Sequence, residues 1–419
     1  MTLADAVALQ TPIVQRLLDG VATIGADPPG ITRDAYGRGE NQAQALIAEA
    51  GAALGLTAST DAGANLTLRW AAPEPEATPV LIGSHLDSIV QGGNFDGAAG
   101  VIAGIGAIAA LKAAGIQPKR DIEVLALRCE EAVWFGLGLI GSRCMLARLP
   151  PGALDLPHAR TGRTLGQSIA DCGGDPERLR EATPLRDPGA IGAYLEIHIE
   201  QAPQLIEAAA PLAICLANPG NLRHPFIRIT GEDAHTGLPH RFRRDAALAG
   251  ADLSLALERL WLEEEAEGRP MAVTIGRFHT PAARHSLTAV SGEFELSLDL
   301  RAYSAAHLAA LESRLHAITA EVAARRRVTI ALGERSAAAP GPMDPALIEA
   351  LWNAARRCGI TAPRLNSPGS HDANNFAASG VPTGMLLVRN RNGSHNPHEA
   401  MDTPDLMAAI RVLAEWLAT

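Results

Sequence analysis

Four short apolar runs constrain the fold of this chain more than any other feature of its sequence. They span residues 79–84, 122–128, 193–198 and 384–388. Their length and their polar flanks are typical of buried strands. The stretch at 96–114 is apolar nearly all round and is expected to form a buried helix, while 2–18 and 41–55 have the pattern of amphipathic surface helices. Strands that alternate with helices predict an α/β domain with a mixed, mostly parallel sheet flanked by helices.

The segment from residue 212 to residue 327 has a different pattern. Its predicted elements are a strand, a helix, two strands and a helix, at residues 226–231, 243–267, 271–278, 293–302 and 304–325. This order suits a small α+β unit of the ferredoxin-like kind. We therefore predict a first domain made of residues 1–211 and 328–419, with an inserted domain at 212–327.

Composition and charge indicate which partners this chain can bind and in which cellular compartment it is expected. The 419 residues carry a net charge of −10, which argues against nucleic acid as a partner because phosphate binding needs a basic surface. The longest apolar run, residues 101–111, is too short to cross a membrane. The N-terminus lacks the pattern of a secretion signal. Five cysteines without a C-x-x-C pair favour a reducing compartment, and we expect a cytoplasmic protein.

A histidine and two aspartates follow the first apolar run. His85 and Asp87 stand two residues apart at its end, so both side chains can point to the same side. His85 could bind a metal ion while Asp87 orients its imidazole ring. Asp96 follows in a glycine-rich loop. The alternative is that Asp96 only caps a helix and that His85 is a turn residue.

Two adjacent carboxylates, Glu130 and Glu131, follow the second run. They precede an apolar stretch, and carboxylates buried beside such residues are costly unless a cation compensates them. One of the pair can bind a metal ion while the other holds a proton. The alternative is a solvated loop.

Three further histidines follow strands or lie in glycine-rich loops: His198, His371 and His395. Ligands gather at strand ends in open α/β sheets, although a lone strand histidine is more often a core residue. Five residues together offer oxygen and nitrogen ligands of the kind that suits zinc or a similar divalent ion. They are His85, Asp96, Glu131, His198 and His395. The set contains no thiolate, which makes a purely structural zinc site the weaker interpretation.

Six motifs in this order resemble one branch of the carboxypeptidase-G-like and aminoacylase-like metallohydrolases. They are G-S-H-L-D-S, G-G-x-F-D-G, E-E-x-x-x-F, H-I-E-Q, S-H-D-A and S-H-x-P-x-E. That branch contains N-carbamoyl-L-amino acid hydrolases, β-ureidopropionase and allantoate amidohydrolase. The resemblance extends over nearly the whole chain, and it implies a zinc-peptidase-like catalytic domain with an inserted lid domain.

The resemblance also implies a role for each residue of the ligand set. Asp96 would bridge two divalent metal ions, usually zinc, with manganese, cobalt or nickel in some members. His85 and His198 would complete one metal site, and Glu131 and His395 the other. Glu130 would be the general base, with Asp87 beside it as a further catalytic residue.

The inserted segment carries further matches. His235, in A-H-T-G, resembles the lid histidine that reaches an active site, often that of the partner subunit. Arg301 matches an arginine that grips a substrate carboxylate as a bidentate fork. Without the resemblance, His235 would be interpreted as a turn residue and Arg301 as a member of a surface ion pair. The resemblance implies a homodimer formed through the lid domain and a small carboxylate-bearing substrate.

Substrate contacts depart from the usual pattern. Thr288 stands where related amidohydrolases carry a substrate-contacting Asn, and Asn221 stands where they carry a Gln. His371 is a further candidate substrate contact. The metal chemistry is thus expected to be retained while the exact substrate differs from allantoate or a simple N-carbamoyl amino acid.

These observations predict a dinuclear metal-dependent hydrolase that cleaves the linear C–N amide bond of an N-carbamoyl (ureido) or related N-acyl amino acid. One alternative is an aminoacylase or dipeptidase that uses the same metal site. Another is a non-catalytic small-molecule binder of the same fold, against which the presence of Glu130 beside the ligand set argues.

Overall fold

The computed structural model describes residues 1–75 and 77–419. The chain forms two compact units, of which one comprises Met1–Asn218 and Gly341–Thr419 and the other comprises Pro219–Pro340. We call them the main unit and the inserted unit.

The helices of the described residues are α1 (Leu3–Ala8), α2 (Thr11–Thr23), α3 (Arg38–Ala53), α4 (Ala98–Ala113), α5 (Ile140–Met145), α6 (Leu165–Asp171), α7 (Pro176–Arg180), α8 (Gln204–Glu207), α9 (Ala246–Ala266), α10 (Ala305–Arg326), α11 (Pro345–Arg357), α12 (Ala373–Ala378) and α13 (Thr403–Leu417). The single helix predicted at 2–18 is wrong. The chain breaks between α1 and α2, where Pro12 occupies the first turn of α2 and has no amide hydrogen with which to continue a helix from α1.

The strands are β1 (Ala26–Asp27), β2 (Gly30–Ile31), β3 (Thr57–Thr60), β4 (Leu66–Trp70), β5 (Val80–His85), β6 (Ile122–Leu127), β7 (Ala193–Ile199), β8 (Leu212–Cys215), β9 (Ala217–Asn218), β10 (Gly220–Thr230), β11 (Ala234–His235), β12 (Met271–Thr274), β13 (Phe278–His279), β14 (Ala289–Val290), β15 (Glu293–Ala302), β16 (Thr329–Ala331), β17 (Ser336–Ala338), β18 (Gly341–Pro342), β19 (Arg364–Leu365), β20 (Thr383–Val388), β21 (Asn390–Arg391) and β22 (Ala400–Met401).

The main unit is built on an eight-stranded sheet with the strand order β19-β8-β20-β7-β5-β6-β4-β3. Its central strands β20, β7, β5 and β6 run parallel and correspond to the four apolar runs of the sequence. Antiparallel pairings add β8 on one side and β4 and β3 on the other. The predicted mixed sheet is thus confirmed.

Helix α4 packs against the centre of this sheet and is buried along almost its whole length. Gly100 permits a close approach to β7, because a Cβ atom there would lie 2.0 Å from the carbonyl oxygen of Ile197. Helices α1, α2 and α13 cover the outer side of α4. The sheet therefore holds its central strands between apolar layers, and the loops at their carboxyl ends are fixed by a rigid core.

The inserted unit is an antiparallel sheet with the order β12-β15-β10-β16, to which β13 and β17 add short pairings. Helices α9 and α10 pack on the sheet, and the residues of β15 alternate between buried and half-buried, so the helices cover one face. Helix α9 begins three residues later than the predicted residue 243, because Asp245 caps it by accepting a hydrogen bond from the amide of Leu248 at 3.0 Å.

The boundaries of the two units differ from residues 212 and 327, where the sequence suggested them. Strand β8 pairs with β20 of the eight-stranded sheet, so the main unit continues through Asn218. Strands β16 and β17 pair with β10, so the inserted unit extends to Pro340.

Within the described part of the chain, no helix combines the length and the apolar character that crossing a membrane requires.

A buried ion pair ties α3 to the loop after β6. Glu40 accepts a hydrogen bond from Arg128 Nη1 at 2.8 Å, and its two oxygens also accept the amides of Tyr36 and Cys129 at 2.6 and 3.0 Å. Burial raises the pKa of Glu40, a shift that Arg128 opposes. This pair fixes the position from which Glu130 and Glu131 extend.

Removing one partner of this pair should destabilise the fold. We expect Glu40→Ala to lower the free energy of unfolding by about 3–5 kcal/mol, because Arg128 would remain buried without a counter-charge. The matched control is Glu181→Ala, which breaks an exposed pair with Arg178 and should cost less than about 1 kcal/mol. Urea denaturation measures both, and equal effects would contradict the assignment.

Candidate metal centre

The predicted metal ligands lie at the carboxyl ends of neighbouring parallel strands. His85 is the last residue of β5, His198 lies near the end of β7, and Glu131 follows β6 by a few residues. Asp96 lies in the loop between β5 and α4, and His395 lies beyond β21. Because these strands are parallel neighbours, their carboxyl ends converge at one edge of the sheet.

Two histidines and one aspartate form the first ligand group. The Nε2 atoms of His85 and His198 lie 3.3 and 3.0 Å from Asp96 Oδ1, and all three side chains are buried. His85 Nε2 is buried without a hydrogen-bond partner. A buried nitrogen left unpaired among polar groups is costly, and coordination to a cation removes that cost.

The second group shares Asp96 with the first. His395 Nε2 lies 3.5 Å from Asp96 Oδ2 and 3.3 Å from Glu131 Oε1. Glu131 is buried, whereas the His395 side chain is 49% exposed. In each group the candidate ligand atoms lie within 4.8 Å of one another. The structure thus brings all five predicted ligands together, with Asp96 common to both groups.

The charges of these groups depend on one another. Burial disfavours a charge on Asp96, yet the neighbouring histidines, His198 foremost, lower its pKa well below the usual value. Hydrogen bonds to Asp96 and Glu131 raise the pKa of His395 to about 11. The carboxylates and imidazoles thus stabilise one another's charges, and the oxygen and nitrogen donors present are those that zinc and similar divalent ions accept.

Asp87 links the ends of β5 and β6. Its Oδ1 and Oδ2 accept the amides of Glu130 and Glu131 at 3.0 and 3.1 Å, and its Oδ1 lies 3.3 Å from His85 Nδ1. A carboxylate on Nδ1 directs Nε2 of the same ring toward Asp96, which is the arrangement expected for an oriented metal ligand.

Glu130 belongs to neither ligand group, although it is adjacent to Glu131. Burial raises its pKa well above the usual value; the charge of His85 opposes this rise and the charge of Glu131 adds to it. A carboxyl group whose neighbours and burial favour its protonated form is suited to hold a proton during catalysis.

Three residues outside the predicted set hold the shared aspartate in place. Gln201 Nε2 and Ser394 Oγ lie 3.0 and 2.5 Å from Asp96 Oδ2. Glu399 Oε1 accepts the amides of Phe95 and Asp96 at 2.8 and 3.1 Å. Gln201, Ser394 and Glu399 lie 105, 298 and 303 residues from Asp96 in sequence, so sequence spacing alone could not assign these contacts.

Glycines near Asp96 are the sequence signal that could have indicated this packing. A Cβ atom on Gly93 would lie 2.2 Å from the carboxyl group of Glu399, and one on Gly97 would lie 2.5 Å from the ring of His85. Gly97 also has φ +65°, a conformation that favours glycine. Both positions are occupied by glycine because the loop has no room for a side chain.

His371 lies beside the first group but outside it. Its ring centroid is 4.2 Å from that of His198, its Nε2 lies 2.8 Å from Ser367 Oγ, and it is buried. Burial strongly lowers its pKa. The predicted substrate contact therefore lies directly beside His198, and its role stays a prediction.

Two predicted substrate contacts are direct neighbours on the inserted unit. Asn221 on β10 is the register partner of Arg301 on β15, so their side chains share one face. Arg301 donates to Asp299 Oδ2 through Nε and Nη2 at 3.3 and 3.2 Å. Asp299 Oδ2 also accepts Arg223 Nε at 3.0 Å. The ion pair that the sequence left open as an alternative for Arg301 is thus present.

The other two predicted contacts of this unit share a second short ribbon. His235 in β11 pairs with Ala289 in β14, and the amide of Thr236 donates to the carbonyl of Thr288 at 2.8 Å. His235 is exposed, and its Nδ1 accepts the amide of Gly237 at 3.1 Å. A neutral imidazole that accepts at Nδ1 carries its proton on Nε2, which leaves an outward-facing donor.

Comparisons with known proteins agree with this geometry. The model of peptidase family M20/M25/M40 matches residues 81–419. An N-carbamoyl-L-amino acid amidohydrolase from Geobacillus stearothermophilus is 33% identical over 403 residues, which cover 95% of each chain. The allantoate amidohydrolase of Escherichia coli (strain K12) is 29% identical over 411 residues, which cover 96% of each chain. These matches confirm the resemblance that the motifs indicated.

Solved structures support the fold. A hydantoinase/carbamoylase family amidase from Burkholderia ambifaria has a TM-score of 0.84 and 31% sequence identity, with 97% of this chain and 96% of that chain covered.

A side chain at position 97 should disturb the first ligand group. We expect Gly97→Ala to weaken the binding of a divalent metal ion at least about tenfold, because the added methyl group would displace His85, and changes to ligand-supporting positions commonly have this effect. The control is Gly115→Ala, which has a similar φ of +72° but no atom within 4 Å of the added Cβ. Titration of metal-free protein against a chromophoric chelator measures both, and equal affinities would contradict the expectation.

Proposed function

Because the chain belongs to peptidase family M20/M25/M40, we propose that it is a dinuclear, zinc-dependent amidohydrolase. Its substrate is a small N-carbamoyl (ureido) or related N-acyl amino acid, and the bond that it cleaves is a linear C–N amide bond. The observation that carries this proposal is the pair of ligand groups that share Asp96, with Glu130 beside them.

Five residues would hold the two ions. His85, His198 and Asp96 form one site, and Asp96, Glu131 and His395 form the other. When bound, the ions polarise a substrate carbonyl and make a water molecule more acidic. Asp87 keeps His85 oriented, while Gln201 and Ser394 keep the Asp96 carboxylate directed toward both groups.

Glu130 moves the proton in this proposal. It takes a proton from the attacking water as the C–O bond forms and returns that proton to the leaving nitrogen as the C–N bond breaks. The residue is suited to both steps because burial raises its pKa, with the charge of Glu131 adding to the rise, and a carboxyl group with a raised pKa is the stronger proton acceptor.

The substrate carboxylate is assigned to Arg301, with Asn221 next to it. Arg301 now bonds Asp299, which also accepts a hydrogen bond from Arg223. If Arg301 turns to a substrate, Asp299 keeps Arg223 as its cationic partner, so the exchange does not leave this half-buried carboxylate without a counter-charge. Such an arginine can grip a carboxylate through two parallel hydrogen bonds.

The acyl or carbamoyl carbonyl is assigned to His235, whose Nε2–H donates to the developing oxyanion. Thr288 lies on the ribbon that carries His235, and its hydroxyl is shorter than the Asn side chain it replaces. This substitution supports a substrate that differs from those of the relatives in the group beyond the scissile bond.

A homodimer formed through the inserted unit is part of the proposal. Leu248, Leu255 and Leu262 are exposed on α9 at seven-residue intervals, so they share one face of the helix. Strand β12, against which α9 packs, lies at an edge of the sheet. An apolar helix face beside an open strand edge suits pairing with a second copy.

The proposed location is the cytoplasm, since four of the five cysteines are buried free thiols.

The proposed activity is tested by measuring ammonia and free amine separately from carbamoyl, acetyl and dipeptide substrates. We expect release of both products from a carbamoyl substrate by the zinc-loaded protein. Amine release from acetyl or dipeptide substrates alone would instead favour an aminoacylase or dipeptidase. Absence of turnover with metal bound would favour a binding protein.

Two variants accompany this assay. Glu130→Gln cannot accept a proton, and its kcat should fall by about 10²–10⁴ while metal content is retained. Asp96→Ala removes the shared ligand and should lose most of the bound metal. Turnover near that of the wild type for Glu130→Gln would place the base elsewhere, with Glu131 the first candidate.

Mixed dimers test whether His235 acts on the partner subunit. His235→Ala and Glu130→Gln should each be nearly inactive, and a mixed dimer would contain one intact site if His235 acts in trans. After random exchange of equal amounts, activity should reach about a quarter of the wild-type value. Persistent inactivity despite proven exchange would reject the trans role, and a monomer in light scattering would reject the dimer.

A further inference from the structure

A cationic cavity lies on the inserted unit, and none of the residues assigned above to metal, base or substrate lines it. Its volume is about 230 Å³. The charged side chains on which the argument rests are Arg241, Arg243, Arg325, Arg326, Arg327 and Asp245. Such a concentration of arginine is unexpected in a chain with a net charge of −10.

Nearby carboxylates neutralise only part of this charge. Asp252 pairs with Arg325 and Arg326 at 3.1 and 2.5 Å, and Glu321 also pairs with Arg325 at 3.2 Å. Asp245 caps α9. Within residues 1–75 and 77–419, no carboxylate lies at ion-pair distance from the other three arginines, which are Arg241, Arg243 and Arg327.

Backbone carbonyls hold two of these three guanidinium groups in place. Arg243 donates through Nε to the carbonyl of Leu238 at 2.7 Å and through Nη2 to that of Thr236. Arg327 donates through Nη2 to the carbonyls of Arg241 and Arg243 at 2.6 and 2.9 Å. A guanidinium has five N–H donors, so each group retains donors that these bonds do not use.

We propose that this cavity is a binding site for a small oxyanion of the phosphate class, either free or as the phosphoryl group of a small molecule. Guanidinium groups bind such anions through paired, charge-assisted hydrogen bonds. An anion also relieves the mutual repulsion of several arginines around one cavity. The volume accommodates a phosphate together with water, given about 30 Å³ per water molecule.

The site adjoins a segment that the proposed function uses. Arg243 contributes to the cavity and also holds the carbonyl of Thr236, the residue after His235. An anion bound here would therefore lie against the turn that follows His235. This consequence rests on the proposed function, whereas the binding itself does not.

Calorimetric titration of the metal-free protein with inorganic phosphate at low ionic strength tests the site. We expect saturable binding of one phosphate per chain, weakened about tenfold or more by Arg241→Ala and by Arg327→Ala through loss of charge-assisted bonds. Arg241→Ala is the easier variant to interpret, because the Arg241 guanidinium makes no ion pair within the described residues that the substitution would break. Its contact is with the ring of Phe242, at 4.6 Å from the ring centroid. The control is Arg314→Ala, which removes an exposed arginine paired with Glu263 and should change the affinity less than about twofold.

Three results would overturn the proposal. The first is the absence of saturable phosphate binding, and the second is that Arg314→Ala weakens phosphate binding as much as Arg241→Ala does. The third is that Arg301→Ala abolishes phosphate binding while Arg241→Ala binds phosphate as the wild type does. The last result would assign the phosphate to the candidate substrate-carboxylate site. Because the titration uses metal-free protein and needs no turnover, a failure of the amidohydrolase assignment leaves its outcome unaffected.

Discussion

The carboxylate of Asp96 is the group on which the rest of the site depends. One of its oxygens faces His85 and His198, and the other faces His395. Neither ligand group is complete without it, and its loop is closed around it by Glu399. The loop can take this path because Gly93 and Gly97 leave space where a side chain would collide with the neighbouring residues.

The central sheet provides the rigid base that positions the other groups of the site. Parallel strands β5, β6, β7 and β20 end at one edge, and their apolar residues are buried against α4 and its neighbours. That rigid base holds Asp87 between the ends of β5 and β6, where its carboxylate orders the amides of Glu130 and Glu131. Several buried carboxylates at one edge are unfavourable unless cations compensate them. The arrangement that brings the candidate ligands together is therefore also one that a bound metal cation would stabilise.

The sequence predicted the central strands and the five candidate ligands because both have local patterns: apolar runs of strand length, and chemistry-bearing residues directly after them. It failed where the determining contact is distant or depends on a single backbone feature. The helix expected at 2–18 is interrupted between α1 and α2, ahead of Pro12, and the insert boundaries shift because β8 pairs with β20. The supporting roles of Gln201 and Ser394 depend on tertiary contacts with Asp96. Whether Arg301 forms an ion pair was left open for a different reason, since it depends on which way a surface side chain turns.

The central claim is that Asp96 serves two metal sites at once, and anomalous diffraction from zinc-loaded crystals tests it most directly. The account predicts two zinc peaks per chain, one contacted by His85 and His198 and the other by Glu131 and His395, with one Asp96 oxygen at each. A single peak, or a second peak that Asp96 does not contact, would contradict it.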